Sequence, residues 1–82
     1  MAVSDKEILT AVTDIFRDNL EQKTLSLAPD TRLDADLLVN SLFLITIIAD
    51  IEKQYNFRFL AEEIQNLKTV GEIIDKINEK RT

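Results

Sequence analysis

From Leu42 to Ile51 the chain reads Leu-Phe-Leu-Ile-Thr-Ile-Ile-Ala-Asp-Ile, an apolar run interrupted only by Thr46 and Asp50. A helix apolar over most of its circumference has to leave water, so the other segments must be arranged around it. Two small polar residues, Asn40 and Ser41, stand at its entrance, behind the apolar approach Leu37-Leu38-Val39. Asn is a strong N-cap type, because its side-chain oxygen accepts a backbone N–H that the first turn leaves unpaired. Ser41 then opens the helix, with its hydroxyl beside the positive end of the dipole. Asn56 tolerates the left-handed conformation that closes helices, so the predicted helix spans Ser41 to Tyr55. On a wheel with Ser41 at zero and about 100° per residue, Ile47, Ile51, Leu44, Tyr55 and Ile48 fill one arc. Ile45, Ala49 and Leu42 fill a second, which predicts a central helix contacted from several sides. Thr46, Lys53, Asp50 and Gln54 share the remainder, and Phe43 falls among them.

The flanking segments supply the packing partners. Ser4-Asp5-Lys6-Glu7 has capping-box spacing, and Ile8, Val12, Ile15, Phe16 and Leu20 follow at helical intervals, predicting a first helix to about Glu21. From Gln22 to Val39 no period is sustained. Pro29-Asp30-Thr31-Arg32 reads as a turn. Leu25, Leu27, Leu33, Leu37 and Leu38 are anchors along a connection of about 18 residues, which is long for a compact domain. Those leucines predict a loop packed across the helices, with room for a short helical turn. Phe57 and Phe59 flank Arg58 in an extended connector with aromatic anchors. Ala61 to Leu67 predicts a short helix whose inward residues are Ile64 and Leu67. Thr69-Val70-Gly71-Glu72 repeats the capping-box spacing, and Val70, Ile73, Ile74 and Ile77 share one face of a last helix running to about Asn78. Lys76, Lys80 and Arg81 lie toward its C-terminal end, where the dipole favours cations. The expected class is all-α, with three main helices, one short third helix and a long first loop. A single Gly and a single Pro in 82 residues disfavour a fold built on many tight turns.

What the chain lacks narrows its chemistry. It has no Cys and no His, which removes disulfides, thiolate nucleophiles, the usual zinc ligands and the commonest general base. A net charge of −5 disfavours a nucleic-acid surface, which needs clustered Lys and Arg. No apolar run approaches the roughly 18 residues of a membrane span, and no basic-then-apolar signal segment opens the chain; a cytoplasmic domain is the expectation. Asp34 and Asp36 can be read as a weak divalent-ion site or as a polar loop. The polar loop weighs more, because neither the Gly nor the closing Glu of a calcium loop is in place.

The order of the segments resembles that of the acyl carrier proteins, the phosphopantetheine-binding carrier family. The resemblance covers nearly the whole chain, as one carrier domain over residues 1–82. It rests on Asn40-Ser41-Leu42, on Asp50-Ile51-Glu52 through Tyr55, on Ala61-Glu62-Glu63-Ile64 and on Lys68-Thr69-Val70-Gly71-Glu72. It implies a four-helix bundle of the discrete type and a 4′-phosphopantetheine arm, derived from coenzyme A, on Ser41 between Asn40 and Leu42. A separate phosphopantetheinyl transferase would attach the arm. The implied role is carriage of acyl intermediates as thioesters in fatty-acid or polyketide-type synthesis, not catalysis. Acyl-loading, elongating and transferring enzymes are the implied partners, of a monomer. Leu42, Ile45, Ala49, Phe59, Ile64 and Leu67 are candidates for a cleft sheltering the acyl chain, or for ordinary core.

Two departures accompany the resemblance. Asn40 stands where the family pattern has Asp, which keeps the cap and loses the charge. Phe43 and Thr46 stand where the family's recognition helix usually carries acids; between Leu33 and Glu52 the charges are Asp34, Asp36, Asp50 and Glu52. Phe43, Thr46 and Asp50 are therefore candidates for partner docking, with Phe43 at least partly exposed, although its ring can also fold back on the long loop. The rival reading is a non-catalytic interaction module that keeps the fold without the arm. On that reading Ser41 only helps to cap the helix.

Overall fold

The computed structural model describes residues 5–37 and 39–81, so the Ser4 half of the first capping box and the Leu38 anchor lie outside the described residues. The described residues form four helices: α1 (Asp5–Leu20), α2 (Ser41–Tyr55), α3 (Ala61–Gln65) and α4 (Val70–Arg81). The class is all-α. α1 packs on both α2 and α4. Ile8, Val12, Ile15 and Phe16 of α1, Ile47, Ile48 and Ile51 of α2, and Val70, Ile73, Ile74 and Ile77 of α4 meet in one core. These are the periodic positions read from the sequence.

Each helix boundary has a local cause. Asn40 Oδ1 accepts the Phe43 N–H at 2.9 Å, and Asn56, in the left-handed region at φ 58°, closes α2. Glu72 Oε1 accepts the Thr69 N–H at 3.1 Å while the Glu72 N–H donates to Thr69 Oγ1 at 3.3 Å, the reciprocal capping box that opens α4. α4 continues to Arg81 rather than stopping near Asn78. Glu79, Lys80 and Arg81, which follow Asn78, are good helix formers. α3 is shorter than expected and ends at Gln65, so the buried Leu67 lies in the connector beyond it.

The first loop is fastened, as its leucines imply. Leu27 and Leu33 are buried, and Leu25 and Leu37 half-buried. Pro29 and Asp30 form a turn closed by the Thr31 N–H on the Ala28 carbonyl, and residues 33–37 make one helical turn on the Arg32 carbonyl. An isolated antiparallel bridge pairs Arg32 with Thr69. Around it the Leu33 N–H donates to the Lys68 carbonyl at 2.9 Å and the Val70 N–H to the Thr31 carbonyl at 3.0 Å. The Gly71 N–H adds a bond to the Pro29 carbonyl at 2.8 Å. A Cβ on Gly71 would lie 2.8 Å from that same oxygen, so Gly is what allows the close approach.

One expectation is corrected. α2 is covered on one arc only. Leu42 is 74% and Ile45 55% exposed, and Ala49 is exposed as well. The reason is geometric: α1 covers the Ile47–Ile51 arc, and α3 has five residues and buries none of them. The longer helices α1 and α4 pack on each other in the core and do not lie over the second arc.

Candidate functional site

The start of α2 is where the polar and apolar features of the chain meet. Asn40 is extended, at φ −84° and ψ 172°, and its carbonyl accepts the Leu44 N–H at 3.0 Å while its side chain takes that of Phe43. The first two N–H groups of the helix have no intrahelical acceptor. The first turn contains no acidic residue, so the positive end of the dipole is not neutralised from within. Ser41 is the first helical residue; its side chain lies outside the described atoms.

Beside this turn is a depression of about 450 Å³, within the range of roughly 300–1,000 Å³ found for small-molecule sites. Leu33 and Val39 of the loop and Leu44 and Ile45 of α2 form one side, with Ile64 and Leu67 opposite. Asp34, Asn40, Gln65 and Lys68 add polar atoms to it. Three of the residues proposed for a cleft, Ile45, Ile64 and Leu67, are therefore brought together. The other three are not. Leu42 points to solvent, Phe59 is 7% exposed in the core, and Ala49 lines a different surface hollow with Lys53 and Phe57. Leu33, Val39 and Leu44 replace them. Leu33 and Val39 belong to the aperiodic loop, and no sequence period predicts where such a segment folds back.

Phe43 is 45% exposed, on the same face as Thr46 and Asp50. Thr46 returns its hydroxyl to the Leu42 carbonyl at 3.2 Å. Asp50 is tied to α1, its Oδ2 accepting Asn19 Nδ2 at 2.9 Å. Asp34 and Asp36 serve the loop. Asp34 Oδ1 lies 3.3 Å from Arg32 Nε, a bond that holds its carboxyl below the usual range, and Asp36 Oδ2 accepts the Arg32 N–H at 2.8 Å. Glu52 Oε2 accepts the Phe59 N–H at 2.7 Å. Among the described residues no acidic cluster is arranged to hold a metal, and no helix is long and apolar enough to cross a membrane.

Residues 10–77 match the family described as phosphopantetheine attachment site. The chain belongs to the phosphopantetheine-binding acyl carrier family. Members are carriers rather than catalysts, and their cofactor is a covalently attached 4′-phosphopantetheine. The carrier is 34% identical over 77 residues to an acyl carrier protein of Acidothermus cellulolyticus, covering 94% of this chain and 92% of that one. It is 30% identical over 76 residues to an acyl carrier protein of Kineococcus radiotolerans, covering 93% and 94%. In structure it superposes on a holo acyl carrier protein of Geobacter metallireducens with a TM-score of 0.77 at 30% identity, over 88% of this chain and 83% of that one. A putative acyl carrier protein of Mycobacterium tuberculosis has the same fold, with a TM-score of 0.72 at 24% identity, covering 90% and 95%.

The site's chemistry fits such a group. A phosphodiester is an anion, and helix N–H groups in a first turn free of carboxylates favour it. An aliphatic chain needs an apolar recess within reach, and the depression along α2 and the α3 connector is one.

Proposed function

We propose that this carrier bears its phosphopantetheine arm on Ser41 and holds acyl intermediates as thioesters for fatty-acid or polyketide-type synthesis. The observation that carries the reading is the capped, carboxylate-free start of α2 beside an apolar depression. When bound, the arm supplies a thiol, which the chain itself does not have. The chain's own residues then have simple tasks. Asn40 fixes the first turn, so that its N–H groups face the anion. Leu33, Val39, Leu44, Ile45, Ile64 and Leu67 exclude water from an aliphatic chain. The Ser41 hydroxyl needs no base from this protein, because a phosphopantetheinyl transferase would supply one.

The enzymes that load, elongate and transfer acyl groups are the proposed partners of a monomeric, cytoplasmic carrier. Leu42 and Phe43, exposed next to Ser41, offer them apolar anchors, with Thr46 and Asp50 on the Phe43 side. The rival, an interaction module without the arm, draws on Asn40 in place of the family's Asp. Thiol titration separates the two. The unmodified protein reacts with no thiol reagent, having no Cys. After incubation with coenzyme A and a broad-specificity transferase, one thiol per chain is expected. A protein that gains none under those conditions is the rival module.

A further inference from the structure

One wall of the depression is the segment from Leu60 to Leu67, buried at Leu67 but not along α3. α3 has no buried residue. Among the described residues its backbone bonds close within the segment: Glu63 and Ile64 N–H on the Leu60 carbonyl, Asn66 on Glu63, and Leu67 on Ile64. Both ends are pinned. The Phe59 N–H donates to Glu52 at 2.7 Å, and the Lys68 carbonyl accepts the Leu33 N–H at 2.9 Å.

Between those pins, one carboxylate ties the segment to α4. Glu63 Oε1 accepts the Leu60 N–H at 2.8 Å and lies 2.9 Å from Lys80 Nζ, while Oε2 lies 3.3 Å from Lys76 Nζ. With Glu63 13% and Lys80 21% exposed, this is the most sheltered ion pair among the described residues. Glu62, Glu72, Asp75 and Glu79 share the same groove. The two lysines therefore offset a repulsion between α3 and α4. Of the lining residues on this side, Leu67 is buried in the core, while Ile64, next to Glu63 on α3, is only half-buried against it.

We propose that Glu63 is a positioning residue for the acyl group: its fork to Lys76 and Lys80 fixes α3 against α4, and so sets how firmly Ile64 closes on the depression and which chain lengths it shelters. The proposal rests on the reading of the depression as the acyl site.

The test uses the full chain carrying its arm, acylated with a series of saturated groups from butyryl to palmitoyl. Thioester cleavage by hydroxylamine is timed for the parent and for Glu63→Gln, which keeps an acceptor for the Leu60 N–H and removes the charge. In the parent, cleavage slows with chain length, by up to about fourfold per sheltered methylene, and levels off where the depression is full. In Glu63→Gln, mid-length chains are cleaved about fourfold faster or more, the equivalent of one methylene. Raising salt screens the fork and speeds cleavage in the parent but not in the variant. Amide exchange at Ile64 rises with these changes while that at Ile47 does not, which excludes general loosening. A folded Glu63→Gln with the parent's length profile overturns the proposal and leaves the acyl-site reading standing. A parent profile flat in chain length removes both. Should the variant not fold, the parent's salt series decides: cleavage independent of salt overturns the proposal.

Discussion

Asn40 governs how α2 begins, and two residue-scale outcomes follow from side chains that satisfy backbone groups. Its Oδ1 is the acceptor for the Phe43 N–H. Asn40→Ala is expected to cost about 1 kcal/mol, the usual effect of removing a cap, and Asn40→Asp to cost little, since Asp caps equally well. Denaturant midpoints check both, and equal losses for the two would mean that the cap is not what matters at this position. Glu63 is held down from 4.5 to about 2, first by the Leu60 N–H and then by Lys80 and Lys76. A depressed carboxyl favours the ionised folded state. Its contribution is therefore complete above about pH 4.5 and is lost as the pH falls toward about 2. Glu63→Gln should flatten the decline of stability across that window, as read from urea midpoints at a series of pH values. Parallel curves for parent and variant would contradict this.

At the scale of elements, the first loop behaves as structure rather than tether. Leu33 is 3% exposed and bounds both the core and the depression. Leu33→Ala is expected to destabilise by roughly 2–5 kcal/mol, whereas Leu42→Ala, at a residue 74% exposed, should change stability little. Gly71→Ala forces a methyl against the Pro29 carbonyl and is expected to cost about 1–3 kcal/mol by displacing the loop clip. Unfolding midpoints for the three variants give the comparison, and a harmless Gly71→Ala would show that the clip gives way freely. The helices themselves are legible in the sequence because their causes are local: the Asn40 cap, the Asn56 stop, the Thr69–Glu72 box and the isoleucine periods. The bridge from Arg32 to Thr69 is not legible, since it joins residues far apart in sequence without any repeating pattern. The exposed arc of α2 is missed for a related reason. Apolar residues at Leu42 and Ile45 say that burial is favourable, and where the other helices pack decides whether a cover exists. The depression inherits both gaps: Ile45, Ile64 and Leu67 follow from helical faces, while Leu33 and Val39 depend on how the loop returns.

Over the whole molecule, charge and its absence are arranged around the start of α2. The net charge is −5, yet no charged residue occurs from Leu37 to Ala49. The nearest carboxylates are occupied, Asp36 by the Arg32 N–H and Asp50 by Asn19. On the proposed attachment at Ser41, a partner would meet Leu42 and Phe43 first, and aromatic anchors near an interface centre often dominate binding energy. Phe43→Asp with Thr46→Glu should keep the fold, weaken partners with apolar pockets and improve those with basic docking patches. Loading and elongation kinetics at two salt concentrations read this out, and parent-like kinetics with every partner would make Phe43 a packing residue. The proposed function depends on where the arm is attached. Peptide mass mapping after incubation with coenzyme A and a transferase tests that directly. The expected result is one phosphopantetheinyl group on the peptide containing Ser41, and none on a folded Ser41→Ala protein. The group on any other serine, or a modified Ser41→Ala, would contradict the account.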